Sequence, residues 1–340
     1  MPRRPAPTRR QPGARLTACL LADWPPVRQT NPVTESEMSA AGFRALYQQL
    51  RDQARWGPDD RRGTLNHITP ARVAAAAGEV QAGQTVTMAA PMATSAPDNP
   101  EPGARHMESM PDEPSKAAGL AFAADQLVVN IHGDVDSHID ALCHVSYDGA
   151  LYNGIPGETV TAQGASELSI EEAKDGIVGR GVLLDIPRLR GVRWLEPGDQ
   201  VTAAELAAAE TLQRVRVGPG DLLFVRLGHR LRRDELGPWD VPRSRAGLDP
   251  RAMEFMAERQ VAALGCDSNS DVAPSTVADV AFPVHVLAIN AMGLYLLDYL
   301  QFEDLVPLCE AAGRWSFLCV AAPLRLPGAT GSLVNPIAIL

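Results

Sequence analysis

Cysteine is sparse in this 340-residue chain. The five present, Cys19, Cys143, Cys266, Cys309 and Cys319, are scattered, odd in number and form no CxxC pair. That spacing argues against a disulfide framework and a thiolate zinc site, and it fits a reducing cytoplasm. Excess positive charge is also missing. The formal net charge is −10, which speaks against a nucleic-acid partner. No apolar run approaches the roughly 20 residues that a membrane helix needs, so no membrane partner is expected. What is there is ordinary for a globular protein: 45% hydrophobic and 21% charged residues, on a length able to bury a substantial core.

Residues 1–37 stand apart. They carry six arginines against Asp23, Glu35 and Glu37, a net of +3 that leaves −13 for the rest. The stretch is rich in proline, lacks an amphipathic period, and offers only Leu16 to Ala22 as an apolar core, too short for a signal peptide. It reads as a disordered leader, or as a start assigned upstream of a natural one at Met38; a transit or partner-binding arm is the alternative. From Phe43 the pattern is globular, and no composition break follows, so 38–340 is expected to form one domain.

Elements are expected to alternate. Phe43, Leu46, Tyr47 and Leu50 fall at helical spacing. Thr69-Pro70 opens a helix over 71–80 with an N-cap and a proline at the first helical position, and a short strand covers Thr85 to Met88. Residues 93–118 read as a long surface loop or lid. Strands are expected at 181–186, 222–227, 263–266, 294–298 and 317–324. Helices are expected over 203–213, behind the Thr202/Glu205 capping box, over 250–262, and on either side of LYLLD within 283–312. The fold class is therefore α/β, a mixed sheet with flanking helices.

The chemistry concentrates in VNIHGDVDSHIDALCHVSYDGALYNG, from Val129 to Gly154. Three of the seven histidines lie within 13 residues. His132, Asp134, Asp136, His138 and Asp140 occupy alternate positions, which in extended backbone share one face. Imidazole and carboxylate together suit Zn²⁺, Mn²⁺ or Fe²⁺. Same-face neighbours on a strand are about 6.8 Å apart, so one ion cannot bind all five without a bend near Ser137. His144 follows Asp140 by four residues, and a helical turn there would set it beside a bound ion as a base. Asp136 is the weakest member. Cys143 reads as a packed thiol and not as the nucleophile of a Cys–His pair. Elsewhere His285, inside AFPVHVLAI, and Asp298, ending LYLLD, offer a second imidazole–carboxylate pair, although a lone histidine in an apolar segment is usually a satisfied core residue.

This stretch resembles the HxGTHxDxPxH signature of the cyclase family, which includes kynurenine formamidase-like amidases and isatin hydrolases. The resemblance extends over nearly the whole chain after Met38. It takes in WGPDDRRGTLNHIT, RGVLLDI, GDLLFVRLG and TGSLVNPIAIL, and it points to the longer bacterial branch. Matched residue by residue, His138 and Asp140 stand at the second His and the Asp, and His144 at the final His. Asp134 stands where the first His belongs, with His132 two residues earlier. Ser137 replaces Thr, Asp136 the Gly and Leu142 the Pro. His285 matches a later His, and Asp298 stands roughly where Glu is common.

The resemblance implies a swivelling β/β/α type of mixed α/β fold, a homodimer, and metal-assisted hydrolysis with Mn²⁺ or Zn²⁺ as cofactor. It places His138, Asp140, His285 and Asp298, with Asp134 or His132, around the metal, and it gives His144 proton transfer. An Asp in place of His would tilt the preference towards Mn²⁺. The substrate would be a small amide, formamide, lactam or ester, with an aromatic group that Trp56 and Tyr152 could pack against, and Asn66 and His67 in the same pocket. Two other readings are a cyclase or dehydratase of secondary metabolism and a non-catalytic binding protein with a degenerate metal site.

Overall fold

In a computed structural model, residues 37–53, 56–92, 105–111 and 123–340 are described. The leader, apart from Glu37, lies outside them. Nine strands form one mixed sheet: β1 Thr85–Thr87, β2 His138–Asp140, β3 Ile177–Asp185, β4 Leu222–Arg226, β5 Ala263–Cys266, β6 Tyr295–Asp298, β7 Ser316–Ala321, β8 Gly331–Leu333 and β9 Ile337–Ile339. Their order is β1-β9-β7-β3-β4-β5-β6-β2-β8. The four central strands β3 to β6 run parallel and the flanks are antiparallel.

Parallel neighbours need crossovers, and helices supply them. Ile186–Arg190 and Ala203–Gln213 link β3 to β4, His229–Leu236 and Ala252–Arg259 link β4 to β5, and Pro283–His285 with the π-helical Val286–Met292 precedes β6. The Thr202/Glu205 capping box is present, with both reciprocal bonds. Only residues 334–336 separate β8, at one edge, from β9, next to the other. The sheet is therefore curled, its two edges brought towards each other.

Strands β4 and β5 are buried over their whole length, as their uninterrupted apolar runs require of a sheet covered on both faces. Phe224 packs between Phe302 and Phe317, at 5.9 Å from each ring. A side chain at Gly265 would meet the Phe224 ring at 2.5 Å, so that position is held small. Each fully buried large apolar side chain here, such as Leu223, Leu264 or Leu296, contributes on the order of 1.5–3 kcal/mol.

Two expectations need correction. Arg105–Pro111 is not loop: it pairs antiparallel with Ala123–Val129. The partner carries Leu127, Val128 and Val129, good strand formers, and the composition of 93–118 alone does not reveal a partner beyond its end. The rest of the expected lid lies outside the described residues. The Gly-rich run GATGS, Gly328 to Ser332, reads as a turn after the last apolar strand, yet Gly331 and Ser332 belong to β8.

Candidate metal centre

Strand β2 holds the centre of the site. It is inserted between β6 and β8, so that His138 stands opposite Asp298 and Asp140 opposite Gly331. Asp298 lies at the carboxyl end of a parallel strand, where sites open in α/β sheets. The alternation from His132 to Asp140 is not one extended face. Residues 132–137 are turns and bends, and only His138–Asp140 is strand. The chain folds back so that His132 Nδ1 reaches Asp140 Oδ1 at 2.8 Å, eight residues away in sequence.

Two ligand groups result: His132, His138 and Asp140, and Asp140, His285 and Asp298, each with its donor atoms within 4.8 Å of one another. Asp140 belongs to both. Its Oδ1 faces His138 Nε2 at 3.6 Å and His144 Nε2 at 4.0 Å. Its Oδ2 lies 3.5 Å from His285 Nε2, is buried, and has no hydrogen-bond partner. The same His285 nitrogen is 3.5 Å from Asp298 Oδ2.

Of the expected ligands, Asp134 turns away. Tyr299 donates its hydroxyl to Asp134 Oδ1 at 2.7 Å, and His132 occupies the position beside Asp140 instead. Asp136 contributes its carbonyl, 2.8 Å from His138 Nδ1. His144 stacks on His132 with centroids 3.8 Å apart and rings 9° from parallel. Its amide bonds to Ala141 O at 2.9 Å, a tight turn that begins at Ala141 in place of the helical turn expected from Asp140. Cys143 is buried, and burial pushes its thiol up to about 12, which suits a packed thiol.

Supporting contacts come, Ser137 aside, from residues that sequence reasoning did not single out. Asp271 Oδ2 holds His285 Nδ1 at 2.6 Å and also accepts the His285 amide, while Oδ1 accepts the Val284 amide. A carboxylate behind an imidazole fixes its tautomer and orientation. Ser270 donates to Asp298 Oδ1 at 2.7 Å, and Thr330 Oγ1 lies 2.9 Å from His132 Nε2. Arg230, buried, gives one nitrogen to Val135 O at 2.5 Å and Tyr299 O at 2.7 Å. It thus ties the loop of His132 to the end of β6. Ser137 does likewise, donating to Tyr299 O at 2.7 Å. The position of Asp267 and Asp271, just past the end of β5, was the available signal for acidic support.

The electrostatics follow from burial among opposite charges. Burial alone would raise Asp140, but His144, His132, His285 and His138 outweigh it and hold the carboxyl well below its usual range. Burial, with the charge of Asp140 added, raises Asp298. Burial would lower His285, yet Asp140, Asp271 and Asp298 together raise it well above an ordinary histidine. A divalent cation between Asp140 and Asp298 would answer the same buried carboxylates. Burial lowers His144 to about 4 against the pull of Asp140, so its imidazole is neutral near pH 7.

The four expected substrate-packing residues gather elsewhere. Tyr152 donates to Asp60 Oδ2 at 2.9 Å and Asn66 to Asp60 Oδ1 at 2.6 Å, which pins the Trp56–His67 loop against the segment after the motif. Trp56 meets His67 edge-on at 4.9 Å, and both line a small cleft with Leu50 and Met256. None of the four lines the histidine–carboxylate cluster in the contacts described. An open cleft lined by Ala90, Met92, Asp136, Ser137, Leu324 and Leu333 runs beside the loop of His132.

The curled mixed sheet, with acidic and imidazole groups at its strand ends, defines a class of α/β proteins also seen in solved structures. A crystal structure described as a novel cyclase is 30% identical, with a TM-score of 0.76, covering 86% of this chain and 99% of that one. Isatin hydrolase A from Labrenzia aggregata, bound to benzyl benzoate, is 20% identical with a TM-score of 0.54, covering 78% and 96%. Isatin hydrolase A from Ralstonia solanacearum is 21% identical with a TM-score of 0.53, covering 80% and 97%. No curated protein matches the chain by sequence. The family described as "Putative cyclase" matches residues 86–271. The chain belongs to this cyclase family. Among the described residues no helix is long and apolar enough to cross a membrane.

Proposed function

We propose that this protein is a metal-dependent hydrolase of a C–N bond, in an amide, formamide or lactam, or of an ester, in a small aromatic substrate. One observation carries the reading: two groups of ligands, all buried except the half-buried His132, share Asp140, whose Oδ2 is buried without a hydrogen-bond partner. A buried carboxylate oxygen left unpaired is costly, and a divalent ion is the partner that its neighbours' chemistry fits. His132, His138 and Asp140 would hold one ion, and Asp140, His285 and Asp298 a second or an alternative one. Mixed nitrogen and oxygen donors suit Zn²⁺ or Mn²⁺. With His132 and not Asp134 beside Asp140, the case for manganese from an Asp-for-His exchange weakens.

When bound, such an ion supplies Lewis acidity towards a carbonyl oxygen and acidifies water. The protein's own groups do the rest. Asp271 and Ser270 hold His285 and Asp298 in place. His144, neutral and 28% exposed at its side chain, accepts the proton of the attacking water at Nε2 and returns it to the leaving nitrogen or oxygen. The similar isatin hydrolases, one bound to benzyl benzoate, support an aromatic substrate. A homodimer belongs to the same reading.

The test is metal analysis of the purified protein, followed by turnover of N-formyl aromatic amines, isatin and lactones. Bound metal with hydrolysis supports the proposal. Ring closure without net hydrolysis would make the protein a cyclase or dehydratase, and bound metal with no turnover a binding protein.

A further inference from the structure

Proton transfer by His144 requires its ring to stay beside Asp140, yet among the described residues no hydrogen bond holds that ring. It rests on the His132 ring, and its Nε2 is 4.0 Å from Asp140 Oδ1. Its place is therefore set by the backbone. The chain entering it is tied down: Ala141 donates its amide to Thr330 O at 2.9 Å, and Cys143 donates to Leu168 O at 3.1 Å. The chain leaving it turns back at once. Tyr147 and Ala150 bond each other's backbone at 2.8 and 3.1 Å. Asp148 and Gly149 between them both have positive φ, as in a two-residue Asp-Gly turn.

Asn290 holds that turn at both ends. Its amide nitrogen donates to Val145 O at 3.0 Å and to Ala150 O at 2.8 Å. Its Oδ1 accepts the Tyr47 hydroxyl at 2.8 Å, and the residue is 2% exposed. Both donor hydrogens are used, and a flipped amide would set its oxygen against two carbonyls, so the side chain has one orientation. Val145 directly follows His144.

Asn290 also lies five residues after His285. In α geometry, with 3.6 residues per turn, the two would stand about 140° apart around the axis. The segment Val286–Met292 is π-helical, and a π-turn joins residues five apart, which brings them to one side. His285 then faces Asp140, and Asn290 faces the chain leaving His144.

We infer, resting on the hydrolase reading, that Asn290 is a positioning residue for His144. It fastens the chain that leaves the imidazole to the helix that carries His285, so that the proton-transferring group and the ligand keep one spacing. Their rings stand 6.4 Å apart.

The test is N290D, which keeps the shape of the side chain but turns an oxygen, in place of the donating nitrogen, towards Val145 O and Ala150 O. Metal content is expected to be unchanged. The kcat should fall about 10–100-fold, because a misplacement of roughly 1 Å costs on the order of 10²-fold, while KM stays within about twofold. A double-mutant cycle separates positioning from general damage. In H144A, which lacks the imidazole, adding N290D should cost less than about twofold, since residues that act as a unit are not additive. Crystal structures supply a readout apart from turnover: in N290D the His132–His144 stack should open while His285 keeps its bond to Asp271. If N290D does not fold, Y47F tests the same claim, since it removes only the bond to Asn290 Oδ1. It should lower kcat about two- to tenfold, the scale of one neutral hydrogen bond, and leave the rate of H144A unchanged; an unchanged kcat in Y47F would then overturn the inference. Equal rate losses from N290D with and without His144, metal loss in N290D, or an unmoved His144 ring would each overturn it as well. A displaced His144 ring with no hydrolysis of any substrate would sink the hydrolase reading and leave the placement of His144 by Asn290 standing. Hydrolysis with an unchanged kcat in N290D would sink the role of Asn290 alone.

Discussion

The two halves of the candidate site are built in opposite ways. The half around His285 and Asp298 is sealed: both side chains are almost fully buried, and Asp271 and Ser270 leave each one orientation. The half around His132 and His144 is open, with side chains 22% and 28% exposed, and His132 sits on a loop whose shape depends on Arg230 and Ser137. The sealed half is organised before anything binds. On the proposed hydrolase reading, the open half is where substrate and solvent would enter, and where a proton would come and go.

Asp140 joins the halves, and its loss should have the largest effect. Asp140→Ala is expected to abolish bound metal and turnover together, read by elemental analysis and an activity assay. Full metal occupancy in that variant would mean that the halves are not joined there. His144→Ala should keep its metal and lose rate by on the order of 10²–10⁴-fold, the usual contribution of a proton-transferring group. Metal loss in this variant would make His144 a ligand, and full turnover would remove its role.

Asp271→Ala tests the sealed half. It should weaken metal affinity by about 10–100-fold, the range for losing a carboxylate behind a ligating histidine, as measured by competition with a chelator. A smaller loss than that of Thr330→Val, the matching change behind His132, would reverse the proposed contrast. Gly331→Ala should have the smallest effect of the series. Its new methyl would meet the His132 ring at 2.7 Å and Ile139 O at 2.6 Å, so the His132 ring and the β2 backbone at Ile139 must both give. Metal affinity is expected to fall less than tenfold, with the His285 side intact in a crystal structure of the variant.

The sequence made one half of this contrast legible and hid the other. His132, His138, Asp140 and His144 lie within 13 residues, and local spacing was enough to single them out. That the second group of ligands includes Asp140 depends on β2 pairing with β6, which no local pattern reveals. Asp134 was a candidate because it fits the alternation and the motif. The loop breaks that alternation, and a tyrosine 165 residues away takes its carboxylate. Trp56 and Tyr152 had the chemistry for an aromatic substrate, but Tyr152 is claimed by Asp60. The strands β3 to β6 were recognised because buried parallel strands carry unbroken apolar runs. The hairpin of Arg105–Pro111 was missed because backbone pairing leaves little trace in composition.

The curl of the sheet has a kinetic consequence. Ser137 bonds to Tyr299 across 162 residues, and β8 and β9, three residues apart, pair near opposite edges. Contacts this distant in sequence pay their loop-closure entropy before they return any stability, and they form late in folding. The ligands on β2 and β6 therefore meet only when the sheet closes. A chain halted before that point would carry the same histidines and aspartates yet lack the cage, and binding of an ion with native affinity would report that folding is complete.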